Sequence, residues 1–596
     1  MIRRDVPRLE RERPGTPEWG SDVVAEMLRR LGVPYIALMP GASFRGLHDS
    51  LVNYLGNDAP QLILTNHEEV AVAIAHGYAK YAGRAMAAAV HSTVGLMHAT
   101  MTIFCAWCDR EPVLVLGGTG PMDATARRPW IDWIHTARSQ GELVRDFTKW
   151  EDQPASVAAM PESIVRAWRL AHAAPRGPVY VCLDVGLQEQ RLSGPIDLPD
   201  PAAFAAPSAP APDPDLVARA AMLLIDAESP LILLGHTSAG DSAWADTIAL
   251  AELLGAAVAT DRSGPTSFPT DHPLHQGVWR SQSHAGAVEA IRDADVILAI
   301  DRVDVAGALR VREGRPVRLV NVSLESYATR SWSTDYQALP RAEITLAADA
   351  DLCVAALREA VETLVADEPA ARRRAEDRAK ALGARSRERR AALVAANDAR
   401  RDSSPIHLPR ALAELRTALG ARAGDAIVAQ APHDPWPTAE WGFTRPRAHL
   451  GHDGGGAVGS GPGIAVGGAL GAHGSGRPVI AVLGDGELLA APTALWTAAH
   501  HAIPVLFVIA NNQSYYNDEE HQAQVARARA RPPENRWIGQ RMDTPAVDFA
   551  GLARDLGVEG IGPVGDPSEM AEAMRRGVAA IDEGRPALVD VRIVRR

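Results

Sequence analysis

The chain is 596 residues long and 46% hydrophobic, which is too long for one core and predicts roughly three to four units of ordinary domain size. Its 61 Lys and Arg residues against 73 Asp and Glu give a formal net charge of −12. That balance argues against a nucleic acid as the main ligand and against a polybasic membrane anchor. Four cysteines in so long a chain argue against a disulfide framework and favour a reducing, cytoplasmic setting.

Residues 1–16 are rich in Arg and Pro and are expected to form a disordered tail rather than a signal peptide. Residues 17–190 then alternate apolar helical segments with short β-rich segments, which is typical of an α/β domain with a parallel sheet. No apolar segment approaches membrane-spanning length. Strands of this first domain are expected at Tyr35–Met39, Gln61–Thr65, Met86–Val90, Val113–Leu116 and Val179–Leu183.

The same pattern occurs twice more after a Pro- and Ala-rich linker over residues 191–215. The middle domain, residues 216–365, has expected strands near Leu231–Leu234, Ala257–Thr260, Val296–Ile300 and Arg318–Val322. A charged helical linker, residues 366–404, leads to the third domain, residues 405–596, which includes a basic C-terminal segment. Its strands are expected near Ala426–Ala429, Val479–Leu483, Pro504–Ile509 and Ala587–Ile593. The sequence therefore predicts an α/β protein with three doubly wound parallel-sheet domains.

Polar residues follow two consecutive strands of the third domain. Gly484-Asp485-Gly486 comes directly after one strand, and Asn511-Asn512 comes after the next. A strand–helix–strand crossover places both motifs at the carboxyl ends of adjacent strands, where open α/β sheets bind ligands. Asp485 and Asn512 supply the hard oxygen ligands that Mg²⁺ prefers, and the flanking glycines let the backbone approach a diphosphate.

This spacing resembles the thiamine-diphosphate (ThDP) signature of the superfamily that contains pyruvate decarboxylase, acetolactate synthase and benzoylformate decarboxylase. The string at residues 494–499, ALWTAA, is especially similar to the benzoylformate decarboxylase branch. The resemblance implies that Asp485, Asn512 and the backbone carbonyl of Ser514 bind the metal. It also implies further cofactor contacts: the Gly456 carbonyl accepts the ThDP amino group, Val458 holds the cofactor bent, and Gln430 lies near the diphosphate with Gly484 and Gly486.

The first domain carries the complementary part of the resemblance. Residues 66–79, NHEEVAVAIAHGYA, resemble the catalytic-glutamate helix of the family, and the matching carboxylate is Glu68. A buried carboxylate beside the aminopyrimidine N1′ favours the imino tautomer, which removes the thiazolium C2 proton. His91 resembles the active-site histidine of the family. Ser43 and His98 are further candidates to face the substrate, although a lone histidine is more often structural.

The two parts of the site lie in different domains. The resemblance therefore implies that each active site joins the first domain of one chain to the third domain of another. The expected assembly is a homodimer or homotetramer. A protein that binds ThDP only as a structural ligand is disfavoured because Glu68 is present.

Several departures from the family pattern bear on the reaction. The stretch Leu116–Gly120 lacks the glutamine that is usual in acetolactate synthases and benzoylformate decarboxylases. Residues 301–304, DRVD, do not match the FAD-associated segment of acetolactate synthase, so FAD is not expected. Glu487 follows the GDG motif where a small residue is common, and it would place an acid or base near the thiazolium ring.

Residues 513–547 carry five arginines, Arg527, Arg529, Arg531, Arg536 and Arg541. They either bind the phosphates of a coenzyme A substrate or belong to an ordinary solvated helix. Together with Glu487 they resemble a divergent 2-hydroxyacyl-CoA lyase, which cleaves a substrate such as 2-hydroxyisobutyryl-CoA to a ketone or aldehyde plus formyl-CoA. The alternatives are a benzoylformate-type 2-oxo acid decarboxylase or aldehyde carboligase, and an acetolactate-synthase-like carboligase.

Overall fold

The computed structural model describes residues 2–7, 15–261, 264–279, 284–327, 338–432, 436 and 440–595. The strands of the first domain are β1 Tyr35–Leu38, β2 Gln61–Leu64, β3 Ala87–Val90, β4 Leu114–Thr119, β5 Trp150–Asp152 and β6 Val179–Asp184. They form one parallel sheet in the order β2-β1-β3-β4-β6-β5. Its helices are α1 Gly20–Arg30, α2 Arg45–Asp49, α3 Glu68–Ala82, α4 Ser92–Cys108, α5 Met160–His172 and α6 Val185–Gln188.

The middle domain repeats this architecture. Its strands are β7 Pro230–Leu234, β8 Ala257–Thr260, β9 His275–Val278, β10 Val296–Ile300, β11 Arg318–Val322 and β12 Ile344–Leu346, in the parallel order β12-β11-β10-β7-β8-β9. Its helices are α7 Pro214–Asp226, α8 Asp241–Leu254, α9 Ala285–Asp293, α10 Val305–Ala308 and α11 Ala350–Ala366. The long helix α12, Pro369–Asp398, then leads to the third domain.

The third domain has a five-stranded parallel sheet. Its strands are β13 Ile427–Gln430, β14 Val479–Gly484, β15 Leu506–Asn511, β16 Glu559–Val564 and β17 Ala587–Arg592, in the order β13-β14-β15-β17-β16. Its helices are α13 Leu408–Leu419, α14 Ser460–Gly471, α15 Asp485–Ala490, α16 Thr493–His500, α17 Tyr516–Ala528, α18 Phe549–Asp555 and α19 Met570–Asp582. Helices cover both faces of all three sheets, which confirms the predicted fold class.

Four strands that the sequence did not predict, β5, β9, β12 and β16, all lie at sheet edges. An edge strand has only one neighbouring strand, so it does not need a continuous apolar run. β5 reads Trp-Glu-Asp and β9 reads His-Gln-Gly-Val. The apolar signal that revealed the central strands is therefore weak in these segments.

The predicted disordered tail is wrong for residues 2–7, which lie against both the first and third domains. Ile2 is buried. The N–H of Arg3 donates to the carbonyl of His501 at 2.8 Å, and the Gln61 side chain donates to the carbonyl of Arg3 at 2.9 Å. Residues 1 and 8–14 lie outside the described residues. The local Arg and Pro content did not reveal these contacts because they are made to residues distant in sequence.

The first and third domains share one hydrophobic core, and α3 and α14 cross at its centre. A Cβ atom on Gly467 would lie 1.9 Å from the carbonyl oxygen of Ile74, and one on Gly77 would lie 2.1 Å from that of Ile464. The two helices therefore touch through their backbones, which only glycine permits at these positions. Gly459, just before α14, lies beside Glu69 in the first turn of α3, so both helices begin at the same end of the contact.

The remaining sequence expectations concern cysteines and membrane spans. All four cysteines carry free thiols, and Cys105 is fully buried. Throughout the described ranges, the helices lack the combination of length and apolar character needed to cross a bilayer.

We expect Gly467→Ala to destabilise the contact between α3 and α14. The added methyl group meets a backbone carbonyl that has no room to move, and such overpacking costs about 1–3 kcal/mol. Thermal unfolding followed by circular dichroism should show an apparent midpoint lowered by roughly 3 °C or more. Gly565→Ala is the matched control, because open space surrounds that position. Equal midpoints for the two variants would contradict the proposed backbone contact.

Candidate active site

A cavity of about 510 Å³ opens at the carboxyl edge of the third sheet. That volume lies within the usual range for a cofactor or small-molecule site. Every third-domain residue that the sequence assigned to cofactor, metal or acid–base chemistry lines it: Gln430, Gly456, Val458, Gly484, Asp485, Gly486, Glu487, Asn512 and Ser514. The strand-end argument placed Asp485 and Asn512 at this edge, and the residues implied by the resemblance, including Gln430 and Ser514, line the same cavity.

Asp485 is the first residue of α15, directly after β14, and its side chain is almost completely buried. Its two oxygens accept the backbone N–H groups of Gly486, at 2.9 Å, and Gln513. Burial raises the pKa of Asp485 to about 6 because no opposite charge offsets the lost hydration. Among the described residues no cationic side chain pairs with it. A buried carboxylate in this position fits a divalent cation.

Asn512 presents the second group of polar atoms to the cavity. β14 and β15 are adjacent, and Gly484 pairs with Ala510, so the ends of the two strands lie side by side. The side-chain oxygen Oδ1 of Asn512 accepts a hydrogen bond from the N–H of Ser514 at 2.9 Å. The intervening residue, Gln513, has a left-handed backbone conformation. Asn511 instead turns into the core and donates to Asp590 at 2.8 Å. Asn512, rather than Asn511, is therefore the asparagine that lines the cavity.

The opposite wall of the cavity carries the residues that the sequence assigned to the organic part of the cofactor. Gly456 has a φ of 66° and open space beside its Cα atom. The Val458 side chain is 47% exposed, which is unusual for valine unless a ligand or partner covers it. Gln430 is 2% exposed, yet its Oε1 atom has no hydrogen-bond partner. A buried, unpaired acceptor at a cavity wall fits a polar ligand.

Glu487 is held at the start of α14. Its Oε1 atom accepts the N–H of Gly461 at 2.8 Å, in the first turn of the helix. Burial and then the nearby Asp453 carboxylate raise the pKa of Glu487 to about 7, against the effect of the N–H groups of Gly461 and Gly459. A carboxyl group with this pKa exchanges a proton readily at neutral pH. The sequence did not single out Asp453, whose effect depends on the close approach of its loop to β14.

Glu68 is the first residue of α3 and is 4% exposed. Its Oε2 atom lies 3.1 Å from Nδ1 of His98 on α4. None of the described residues of the first domain lines the cavity that contains Asp485. Glu68 therefore does not reach the cavity of its own chain, although the start of α3 lies near it, with Glu69 Oε1 3.5 Å from the position of a Cβ atom on Gly459.

A second polar group lies near Glu68. Ser43 Oγ is 2.8 Å from Nδ1 of His91, and the His135 ring packs edge-on against His91 at 4.7 Å. Burial, reinforced by His135, lowers the pKa of His91, so its imidazole is neutral at physiological pH. His135 was missed by the sequence, since it lies in a loop without a motif or strand to mark it.

The five predicted arginines do not form one cluster. Arg541 lies 3.5 Å from the buried Glu519, and Arg536 pairs with Glu519 and Glu520. Arg536 is therefore neutralised within the protein, which corrects its assignment to a free phosphate-binding group. The other three, Arg527, Arg529 and Arg531, are exposed and form no ion pair with any residue in the described part of the chain. None of the five lines the cavity.

Family models match all three domains. They are described as the N-terminal TPP binding domain, the central domain and the C-terminal TPP binding domain of the thiamine pyrophosphate enzymes, where TPP is a synonym of ThDP. The matched residues are 18–143, 217–330 and 432–591, together about two-thirds of the chain.

Two curated relatives match nearly the full length. Benzoylformate decarboxylase of Pseudomonas aeruginosa is 25% identical over 95% of this chain and 97% of its own. A probable acetolactate synthase large subunit of Methanocaldococcus jannaschii is 25% identical over 96% and 91%.

Solved structures show the same fold. Benzoylformate decarboxylase from Polynucleobacter necessarius has a TM-score of 0.76 at 20% identity, and the Rhodococcus jostii thiamine diphosphate-dependent 4-hydroxybenzoylformate decarboxylase has 0.72 at 22%. Each covers 97% of this chain and 99% of its own. On the three matching domain models, the chain belongs to the thiamine-diphosphate-dependent enzyme superfamily.

Proposed function

We propose that the protein is a ThDP- and Mg²⁺-dependent decarboxylase or carboligase that acts on a 2-oxo acid. The observation that carries the proposal is the cavity in which Asp485, a buried carboxylate without a counter-ion, faces Glu487, a carboxyl group that exchanges its proton near neutral pH. The first group suits a metal diphosphate, and the second suits proton transfer to the reacting substrate.

Asp485, Asn512 and the backbone carbonyl of Ser514 are the residues that would hold Mg²⁺. All three line the cavity and offer hard oxygen atoms, which this ion prefers. Val458 and Gly456 would contact the rings of the cofactor, and the unpaired Gln430 oxygen would accept a hydrogen bond. When bound, ThDP supplies a nucleophilic thiazolium carbon that attacks the substrate carbonyl and accepts electron density from the bond that breaks.

Glu68 would complete the cavity of a second copy of the chain. It does not reach its own cavity, yet the resemblance assigns it to the aminopyrimidine ring. The first domain also carries exposed apolar side chains, including Met97, Trp130 and Trp133, which are 63%, 79% and 72% exposed. Apolar side chains also border the cavity, where Val458 is 47% exposed. Exposed apolar surface of this kind is typical of an interface between subunits.

The paired Ser43 and neutral His91 favour a 2-oxo acid as the substrate. They lie in the same domain as Glu68, so a homodimer would bring a hydroxyl group and an uncharged imidazole to the same site. Such groups orient a carboxylate or carbonyl by hydrogen bonds. The similarity to benzoylformate decarboxylases in sequence and fold supports this choice. The acetolactate synthase relative keeps carboligation of two oxo acids within the same proposal.

A second candidate is the 2-hydroxyacyl-CoA lyase, which the three unpaired arginines favour. Arg527 lies in the last turn of α17, whose first turn borders the cavity through Tyr516, Asn517 and Asp518. The phosphates of coenzyme A would then run along this helix to Arg527, Arg529 and Arg531. The lyase ranks second because Arg536 and Arg541 are already paired.

We expect purified enzyme with ThDP and Mg²⁺ to release CO₂ from free 2-oxo acids. The substrates to compare are pyruvate, benzoylformate and 2-hydroxyisobutyryl-CoA, with CO₂, acetolactate and formyl-CoA measured in parallel. A variant with Arg527, Arg529 and Arg531 all changed to Ala should keep its kcat/KM for the best oxo acid within roughly twofold. Formyl-CoA release without CO₂ would instead establish the lyase.

Binding of Mg²⁺ to the ThDP-loaded enzyme should weaken below pH 6. Because the pKa of Asp485 is raised to about 6, protons compete with the metal below that value, and the apparent Kd should rise about tenfold per pH unit. Isothermal titration calorimetry between pH 5 and 8 measures this dependence. Asp485→Asn should lose both the affinity and the dependence, whereas Asp518→Asn, at the exposed rim, should retain them. A pH-independent Kd for the unsubstituted protein would exclude Asp485 as a ligand.

Complementation tests whether the active site is shared between chains. Glu68→Gln and Asp485→Asn should each reduce kcat at least roughly 100-fold. When the two variants are unfolded, mixed in equal amounts and refolded, half of the dimers are mixed, and each has one site without a substitution. Activity should therefore recover to about one-quarter of the unsubstituted value. Co-refolded samples of each variant alone are the controls. If no activity returns although mixed dimers form, each site belongs to one chain.

A further inference from the structure

We propose that His98 is a positioning residue that fixes the carboxylate of Glu68. The inference rests on the proposed function, in which Glu68 serves the aminopyrimidine ring of ThDP. His98 Nδ1 lies 3.1 Å from Glu68 Oε2. A neutral histidine carries a proton on one ring nitrogen, and with that proton on Nδ1 the ring would donate to the carboxylate. The bond assigns the Oε2 atom of Glu68 to His98.

The first turns of α4 pack directly against this carboxylate. Gly95 and His98 are three positions apart and therefore lie on the same face of the helix. A Cβ atom on Gly95 would lie 2.6 Å from Glu68 Oε1. The glycine therefore lets one carboxylate oxygen approach the helix backbone while the histidine holds the second oxygen. A larger residue at position 95 would displace the Oε1 atom of Glu68.

His67 fixes the orientation of the His98 ring. His67 is the N-cap residue of α3, and its Nδ1 atom accepts the N–H of Glu69 at 3.3 Å. Its ring is stacked on that of His98, with centroids 4.7 Å apart and planes 19° apart. Rotation of His67 would break the helix cap, so the stack restrains His98 about its own side-chain torsions. His67 thus restrains His98 by stacking, and His98 restrains Glu68 by a hydrogen bond.

The same three side chains have the composition of a metal site, since their ligand atoms lie within 4.8 Å of one another. The stacking distinguishes the two possibilities. Lone pairs of imidazole nitrogens lie in the ring plane, so the lone pairs of two nearly parallel stacked rings stay in separate planes and do not converge on one ion. The observed geometry therefore favours a hydrogen-bonded carboxylate over a shared ligand set.

The experiment measures exchange of the C2 proton of bound ThDP with D₂O, by rapid acid quench and proton NMR, on the holoenzyme. We expect His98→Ala to slow exchange about 10–100-fold, as is usual when a partner that orients an active group is lost. The Kd for ThDP should stay within roughly threefold of the unsubstituted value, because His98 touches Glu68 rather than the cofactor. His98→Asn places an amide N–H close to the position of Nδ1 and should restore most of the rate.

The controls separate this inference from the proposed function. His473→Ala removes an exposed histidine from a distant loop and should leave exchange unchanged. Slow exchange in Glu68→Gln with normal exchange in His98→Ala would overturn the role of His98 alone. Normal exchange in Glu68→Gln would overturn the role of Glu68 itself. If His98→Ala does not fold, Gly95→Ala tests the same contact between Glu68 and α4. An unchanged exchange rate in that variant counts against the inference. Stoichiometric zinc bound to His67, Glu68 and His98 would also overturn it.

Discussion

The backbone contact between α3 and α14 is the constraint on which the arrangement of the site depends. Gly77 and Gly467 bring the two helices closer than side chains would permit, and the first and third domains share one core around them. Both helices begin at the same end of this contact. The start of α3 supplies Glu68, and the start of α14 holds Glu487 through Gly461. A change at the crossing would therefore move both acidic groups, although neither glycine contacts a ligand.

The core of the site was predictable because it follows from a rule about strand ends. Asp485 and Asn512 are far apart in sequence, but each directly follows an apolar strand, and parallel neighbours end at the same edge. The central strands were equally clear, since burial on both faces demands continuous apolar runs. The family resemblance added Gly456, Val458 and Gln430, which composition and periodicity alone do not mark. All three line the cavity.

The features that sequence reasoning missed depend on contacts between distant segments. The edge strands β5 and β9 contain polar residues that only the sheet explains. Spacing suggested that Arg536 and Arg541 belonged to a phosphate site, but Glu519 lies on the facing turn of α17 and pairs with both. The partnership of Glu68 with His98 likewise requires the packing of α3 on α4. Sequence spacing alone does not show which partner the fold brings to a charged residue.

Asp485 and Glu487 are two buried carboxyl groups of one cavity, and both accept backbone N–H groups rather than pairing with a cation of the described residues. Burial raises the pKa of Asp485 to about 6 and that of Glu487 to about 7. Asp485 has the lower pKa and lies beside Asn512 at the strand ends, so it is the group that would hold Mg²⁺.

A pKa of about 7 leaves Glu487 with comparable protonated and ionised populations at neutral pH, so the group can both give and take a proton. Decarboxylation needs a proton on the carbon that loses CO₂, and release of the carbonyl product then needs loss of a hydroxyl proton. Cleavage by a lyase also needs both forms of the acid. Glu487 therefore suits either reaction, and the choice between them rests on the groups that would contact the substrate, such as Ser43 and His91.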